Sequence, residues 1–280
     1  MTSPFADREL IRAEAHAADV VRVAHAYGYA LPDGWEAAHK LAAAARKLAS
    51  DPGPAAFGTL PHAADVAAWC AKRAAERDEW RGRTTVAKEL VDRARIDETR
   101  LALSAAEPFA VRLAEDVNKG SVARLVELLG TAPRTLTGHE TEAAMAAHAE
   151  LLRTVAEVTN AVRNMGALYV ATGEAADLGV AGVAFVLIDP PDTASFGAVT
   201  SAVATLSQTG VPTDADGYDQ LVPLRLSLAA PGQTAQRLAR YNTAASGGMG
   251  LPDGGIADRS MGERLAAAHG RINPAMAASQ

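Results

Sequence analysis

Gly182-Val183-Ala184-Phe185-Val186-Leu187-Ile188 runs without a polar side chain into Asp189-Pro190-Pro191. A short apolar run rich in branched and aromatic residues reads as a strand buried on both faces. The prolines end it, because neither has an N–H to give to a ladder. Such a strand needs cover on both sides. The chain before it carries helical patterning almost throughout; the chain after it alternates helical and extended patterns. The expected fold class is mainly α, a long helical hairpin or bundle with a small α/β (β-α-β-α) C-terminal part.

Four segments follow from the breaks: an N-terminal helical segment over 1–50, a helical hairpin or bundle over 62–168, a small α/β part over 180–245, and a flexible tail with a short helix over 246–280. The first helix spans 4–28, with Leu10, Ile11, Ala18, Val21 and Tyr27 on one stripe. Leu31-Pro32-Asp33-Gly34 is a turn, and a second helix covers 35–49. Pro52-Gly53-Pro54 cannot continue that helix, so 50–61 reads as a linker. Residues 62–107 are dense in both charge signs at spacings of three and four, which supports exposed helices. Gly82 is the expected break of that hairpin and Pro108 a kink. Asn118-Lys119-Gly120-Ser121 is the expected joint between two further helices.

The most amphipathic stretch is 138–166, where Met145, Leu152, Val155, Val158, Val162 and Met165 form a core-facing stripe. Beyond the organising run, 194–209 reads as a helix and Leu224–Leu228 as a second strand, with Pro223 at its start. Residues 231–245 and 259–269 read as helices. Ser246–Gly255 is rich in glycine and reads as mobile.

Hydrophobic residues make up 49% of the 280 and aromatics only 5%, so a core can form, but much of it must be alanine. Alanine favours helices and buries little area, which predicts closely approaching helices around a thin core. The net charge of −6 shows no basic excess in the totals, the sum within which a local basic patch can still lie, and nucleic acid is not an expected partner. One cysteine, Cys70, excludes an internal disulfide framework and a cysteine-rich zinc site. No signal-peptide pattern opens the chain and no run is long enough to span a bilayer. The expected location is the cytoplasm, or a virion for a phage-encoded chain.

No intact catalytic motif is present, and no catalytic residue or cofactor is expected. Asp214, Asp216 and Asp219 form an acidic loop, but an EF-hand register would put prolines, Pro212 and Pro223, at positions one and twelve. A solvated turn is the simpler reading and a metal site the alternative. His139-Glu140 and His148 miss the zincin spacing. Asp189 and Asp192 follow the organising strand, the edge where ligands bind in parallel α/β sheets. The simpler reading makes them a strand end and a helix cap. Pro190-Pro191 occupies the place where a phosphate loop would need inward-pointing amides. Trp35, Trp69 and Trp80 are the largest side chains of an alanine-rich chain, and are core or interface anchors.

Alanine- and arginine-rich helices over 62–130, a strand-bearing part over 180–230 and a Gly/Pro end over 246–258 resemble, in composition and architecture, accessory virion and assembly proteins of actinobacterial phages. The resemblance carries no diagnostic motif and no functional residue. It implies a role in morphogenesis or at a head–tail junction. The expected function is that of a non-catalytic structural or assembly protein acting through protein partners or self-association. The alternative is an α/β ligand- or metal-binding enzyme with its site near Asp189 and Asp214.

Overall fold

The computed structural model describes residues 4–53, 66–173, 182, 184–247 and 259–272. Among them the protein is mainly helical and contains no strand. The helices are α1 (Pro4–Tyr27), α2 (Trp35–Ala49), α3 (Val66–Ser104), α4 (Ala106–Val117), α5 (Ala123–Thr131), α6 (Glu142–Thr172), α7 (Phe196–Thr209), α8 (Ala215–Asp219), α9 (Gln233–Gly247) and α10 (Met261–Ile272). A π-helical turn (Asn118–Val122) joins α4 to α5, and a 3₁₀ turn (Val222–Leu224) follows α8. Two compact units divide the chain, Met1–Ala105 and Ala106–Gln280, so the boundary falls inside the 62–168 segment.

In the first unit, α2 runs back along α3. Gly34, at the start of α2, lies beside Leu101, while Asp51, just beyond its end, accepts a hydrogen bond from Trp80 Nε1. The expected break at Gly82 does not occur, and α3 is one uninterrupted helix of 39 residues, about 58 Å long at 1.5 Å per residue. A single glycine costs a helix only about 1 kcal/mol, which the flanking charge pairs and the packing of α2 offset. The hairpin is thus made by α2 and α3, not by two halves of α3. Helix α3 ends at Ser104, four residues before Pro108, which has no N–H for that carbonyl. Arg95 on α3 donates to Glu14 on α1 at 2.5 Å. The stripe of α1 is displaced by one residue from the expected one: Ala17, Val20, Val23 and Ala24 are buried, and Ile11 is exposed.

In the second unit α6 is the central rod. Thr141 caps its N-terminus by accepting from the Ala144 N–H, and Gly173 closes its C-terminus in the left-handed conformation. Leu151, Val155, Val158, Val162, Met165 and Tyr169 face the core at alternating spacings of four and three. Met145 and Leu152, expected on that stripe, are about half exposed. Tyr218 Oη and Thr159 Oγ1 share a hydrogen bond of 3.0 Å, and burial pushes the Tyr218 hydroxyl up to about 12. A capping box opens α10: Ser260 N–H donates to Glu263 Oε2 and Glu263 N–H to Ser260 Oγ.

The expected β-α-β-α part is not a sheet. Ala184 and Phe185 are helical, Val186 and Leu187 form a turn, and only Ile188 pairs, in a single antiparallel bridge with Leu226. Ala184 to Ile188 are all buried, so the run is apolar on every side, as a buried strand would be; such a run cannot be told from a buried helical turn by its pattern. The second expected strand fails at Arg225, whose φ of 59° turns the backbone out of the extended region. Three backbone hydrogen bonds still tie the two segments: Asp189 N–H to Arg225 O, Ser227 N–H to Leu187 O and Ala229 N–H to Val186 O. The linker beyond residue 53 and most of the glycine-rich tail lie outside the described residues.

Candidate functional site

Two of the three tryptophans brace the first unit from within. Trp35 is the first residue of α2 and stacks on His39, with centroids 5.0 Å apart and planes at 11°. Trp80 donates from Nε1 to Asp51 O at 3.2 Å, and its ring lies so close to Gly53 that a Cβ there would sit 2.5 Å from Trp80 Cε2. Trp80 thus ties the C-terminal end of α2 to α3, while the Trp35 stack lies within α2 itself. Trp69 stands apart on the first turns of α3, half-buried under the Arg73 guanidinium at 5.6 Å, and Arg73 also pairs with Glu76. Cys70 beside it is exposed.

The acidic loop carries its own counter-charge. Asp214 caps α8 by accepting from the Gly217 N–H at 2.8 Å. Asp219 and Asp216 lie 3.0 and 3.7 Å from the two Nη atoms of Arg134. Arg134 also donates to the carbonyls of Leu129 and Ala215, so the guanidinium is held in place by backbone. It supplies at this loop the positive charge that a cation would otherwise bring. Among the described residues, no three His, Cys, Asp or Glu side chains stand where they could hold one metal ion.

Asp189 and Asp192 do come together, and both face arginines. Asp189 lies 3.6 Å from Arg225, 3.7 Å from Arg237 and 3.9 Å from Arg240. Asp192 pairs with Arg240, which also donates to Pro190 O. Arg237 does most of the bracing: its Nη1 donates to the carbonyls of Phe185, Ile188 and Ser227, and its Nη2 to Ser227 Oγ. Burial pushes this guanidinium below its ordinary value, and Asp189 opposes the shift. An open cleft of about 380 Å³ lies here, lined by Asn118, Asp189, Ser227, Gln233, Arg237 and Arg240. The arginines escaped the sequence reading. The matching spacing of three in Asp189/Asp192 and Arg237/Arg240 was the available signal.

His139 and Glu140 precede α6 and do not open it. Glu140 folds back on Thr137 and Gly138, accepting from both N–H groups and from Thr137 Oγ1. These donors, the Thr137 N–H foremost, hold its carboxyl down at about 2. His148 Nδ1 lies 2.8 Å from Pro133 O and ties the loop before α6 to the helix.

The sides of α2 and α3 sort apolar residues by size in an unusual sense. Ala42 and Ala45 of α2, and Thr84, Ala87, Ala94, Thr99 and Ala102 of α3, are buried. The larger Leu41, Leu48, Val86, Leu90 and Ile96 point outward, with Val86 at 62% and Leu48 at 58% exposure. No helix among the described residues is long and apolar enough to cross a membrane. No protein-family model, curated protein or solved structure matches the chain.

Proposed function

We propose that this protein is a non-catalytic structural or assembly protein that acts by laying helical faces against other proteins or copies of itself, as a phage virion or morphogenesis component would. The observation that carries this reading is the inverted sorting of α2 and α3. Alanine lets two helices approach closely with little area buried, and the leucine, valine and isoleucine side chains that could have filled a core stand in solvent. A second apolar surface would bury them. Met145 and Leu152, two turns apart on α6, give the second unit a similar outward pair. Trp69, the tryptophan that braces neither end of α2, is the candidate anchor for a partner. The carboxylates that a metal or substrate would need at Asp189, Asp192, Asp216 and Asp219 are engaged by arginines, which favours a surface role over chemistry.

Light scattering on the full chain as it elutes from a sizing column tests this. The expected mass is a multiple of the chain mass, reduced to that of one chain by Val86→Glu with Leu90→Glu, at unchanged helical circular dichroism. A single-chain mass for the wild type, together with a melting temperature raised by calcium or magnesium, would overturn it.

A further inference from the structure

Gly82 stands near the middle of the 39 residues of α3, where glycine disfavours helix and no turn or break makes use of it. Nothing in the protein requires its missing side chain: a Cβ added there meets no neighbouring atom within 4 Å. Packing within the chain therefore leaves this glycine unexplained. An approach from outside would explain it, because glycine lets another backbone come close.

The residues around it on the helix surface form a pattern. Val86 and Leu90 follow at steps of four, and both are exposed. Glu79 and Arg93, also exposed, lie seven residues before and after Val86, so all three fall within about 20° of one line along the helix. The buried Thr84, Ala87 and Ala94 lie about 80° or more round the helix from that line. Glu79 has no ion-pair partner among the described residues, and Arg93 has only Asp97, 3.7 Å from its Nε.

We infer that two copies of this chain pair antiparallel through this face of α3, with Val86 of each meeting on the twofold axis. Reversal about Val86 sets Glu79 of each copy opposite Arg93 of the other, so one face carries both halves of two ion pairs. That is the self-complementarity an isologous contact requires. Parallel pairing in register would instead set Glu79 against Glu79 and Arg93 against Arg93. Gly82 leaves room beside the axis for the close approach, and Leu90 adds apolar cover at its edge. The inference rests on the assembly reading above and names the partner of this face, a second copy. A single crossing of two helices is a small interface, so the dimer is expected to dissociate on dilution.

The test is sedimentation equilibrium of the full chain across a concentration series, with circular dichroism to show that each variant keeps its helices. Glu79→Arg and Arg93→Glu each turn both ion pairs into like-charge contacts, and each should weaken association by about tenfold. Combined in one chain, the two reversals should restore it, because each new arginine again faces a glutamate; in a parallel pair they would not. Gly82→Gln should raise the melting temperature, as a better helix former, and yet lower the dimer fraction. A stabilised Gly82→Gln chain with its dimer intact would overturn the pairing. So would association that neither charge reversal changes, or that the double variant fails to recover; both outcomes leave the assembly reading in place. A single-chain mass at every concentration also overturns the pairing, and only a metal-raised melting temperature beside it overturns the wider reading.

Discussion

Asn118 and Leu228 exchange two hydrogen bonds. Asn118 Nδ2 donates to the Leu228 carbonyl at 2.8 Å, and the Leu228 N–H donates to Asn118 Oδ1 at 2.7 Å. One side-chain amide, on the first residue of the π-helical turn, thus offers Leu228 what a neighbouring strand would. The irregular segment after Arg225 can then be buried without a sheet, because its backbone groups find partners elsewhere.

Asn118→Ala removes both bonds and leaves a buried N–H and carbonyl at Leu228 unpaired. It is expected to lower unfolding stability by about 2 kcal/mol, the scale of desolvated groups left without partners. Urea denaturation followed by circular dichroism reads this as a lower midpoint at unchanged slope.

Arg237 satisfies three carbonyls of the 185–188 and 225–228 segments and faces Asp189. Arg237→Met should cost about 3 kcal/mol, because it strands those carbonyls and leaves Asp189 with fewer counter-charges. Arg237→Lys should recover little of the loss, since an ammonium lacks the planar fork that reaches several carbonyls at once. Thermal melts of the two variants beside the wild type test the pair of expectations.

Gly53 and Gly28 separate steric crowding from backbone strain. Both have positive φ, +79° and +67°, but only at Gly53 would an added Cβ meet a neighbour, with Trp80 Cε2 2.5 Å away. Gly28→Ala is expected to cost about 1 kcal/mol for the left-handed backbone alone. Gly53→Ala should cost measurably more and should also shift the Trp80 indole signal, because the ring must give way.

Glu140 makes stability depend on acid. Its folded carboxyl titrates at about 2, below the ordinary 4.5, because the Thr137 and Gly138 donors favour the charged form. A depressed folded value contributes stability that is fully present above pH 4.5 and lost as pH falls toward 2. The difference in melting temperature between wild type and Glu140→Gln should therefore be constant above pH 5 and shrink steadily below it. A difference that stayed constant down to pH 2 would refute this.

The sequence by itself determined where the helices lie. Pro4–Tyr27, Trp35–Ala49 and Phe196–Thr209 follow from turn residues, prolines and local propensity, all carried by neighbours along the chain. It also announced a thin alanine core. Tertiary structure decided which way each helix faces. Val20 replaces Val21 and Leu151 replaces Leu152 in the buried stripes, because alanine flanks each stripe and blurs its edge. Tertiary structure also decided the fate of the apolar run at 184–188. A segment buried on all sides has no pattern to distinguish strand from turn, and its conformation is set by distant partners, Arg237 and the 225–229 backbone, that local patterning cannot reveal.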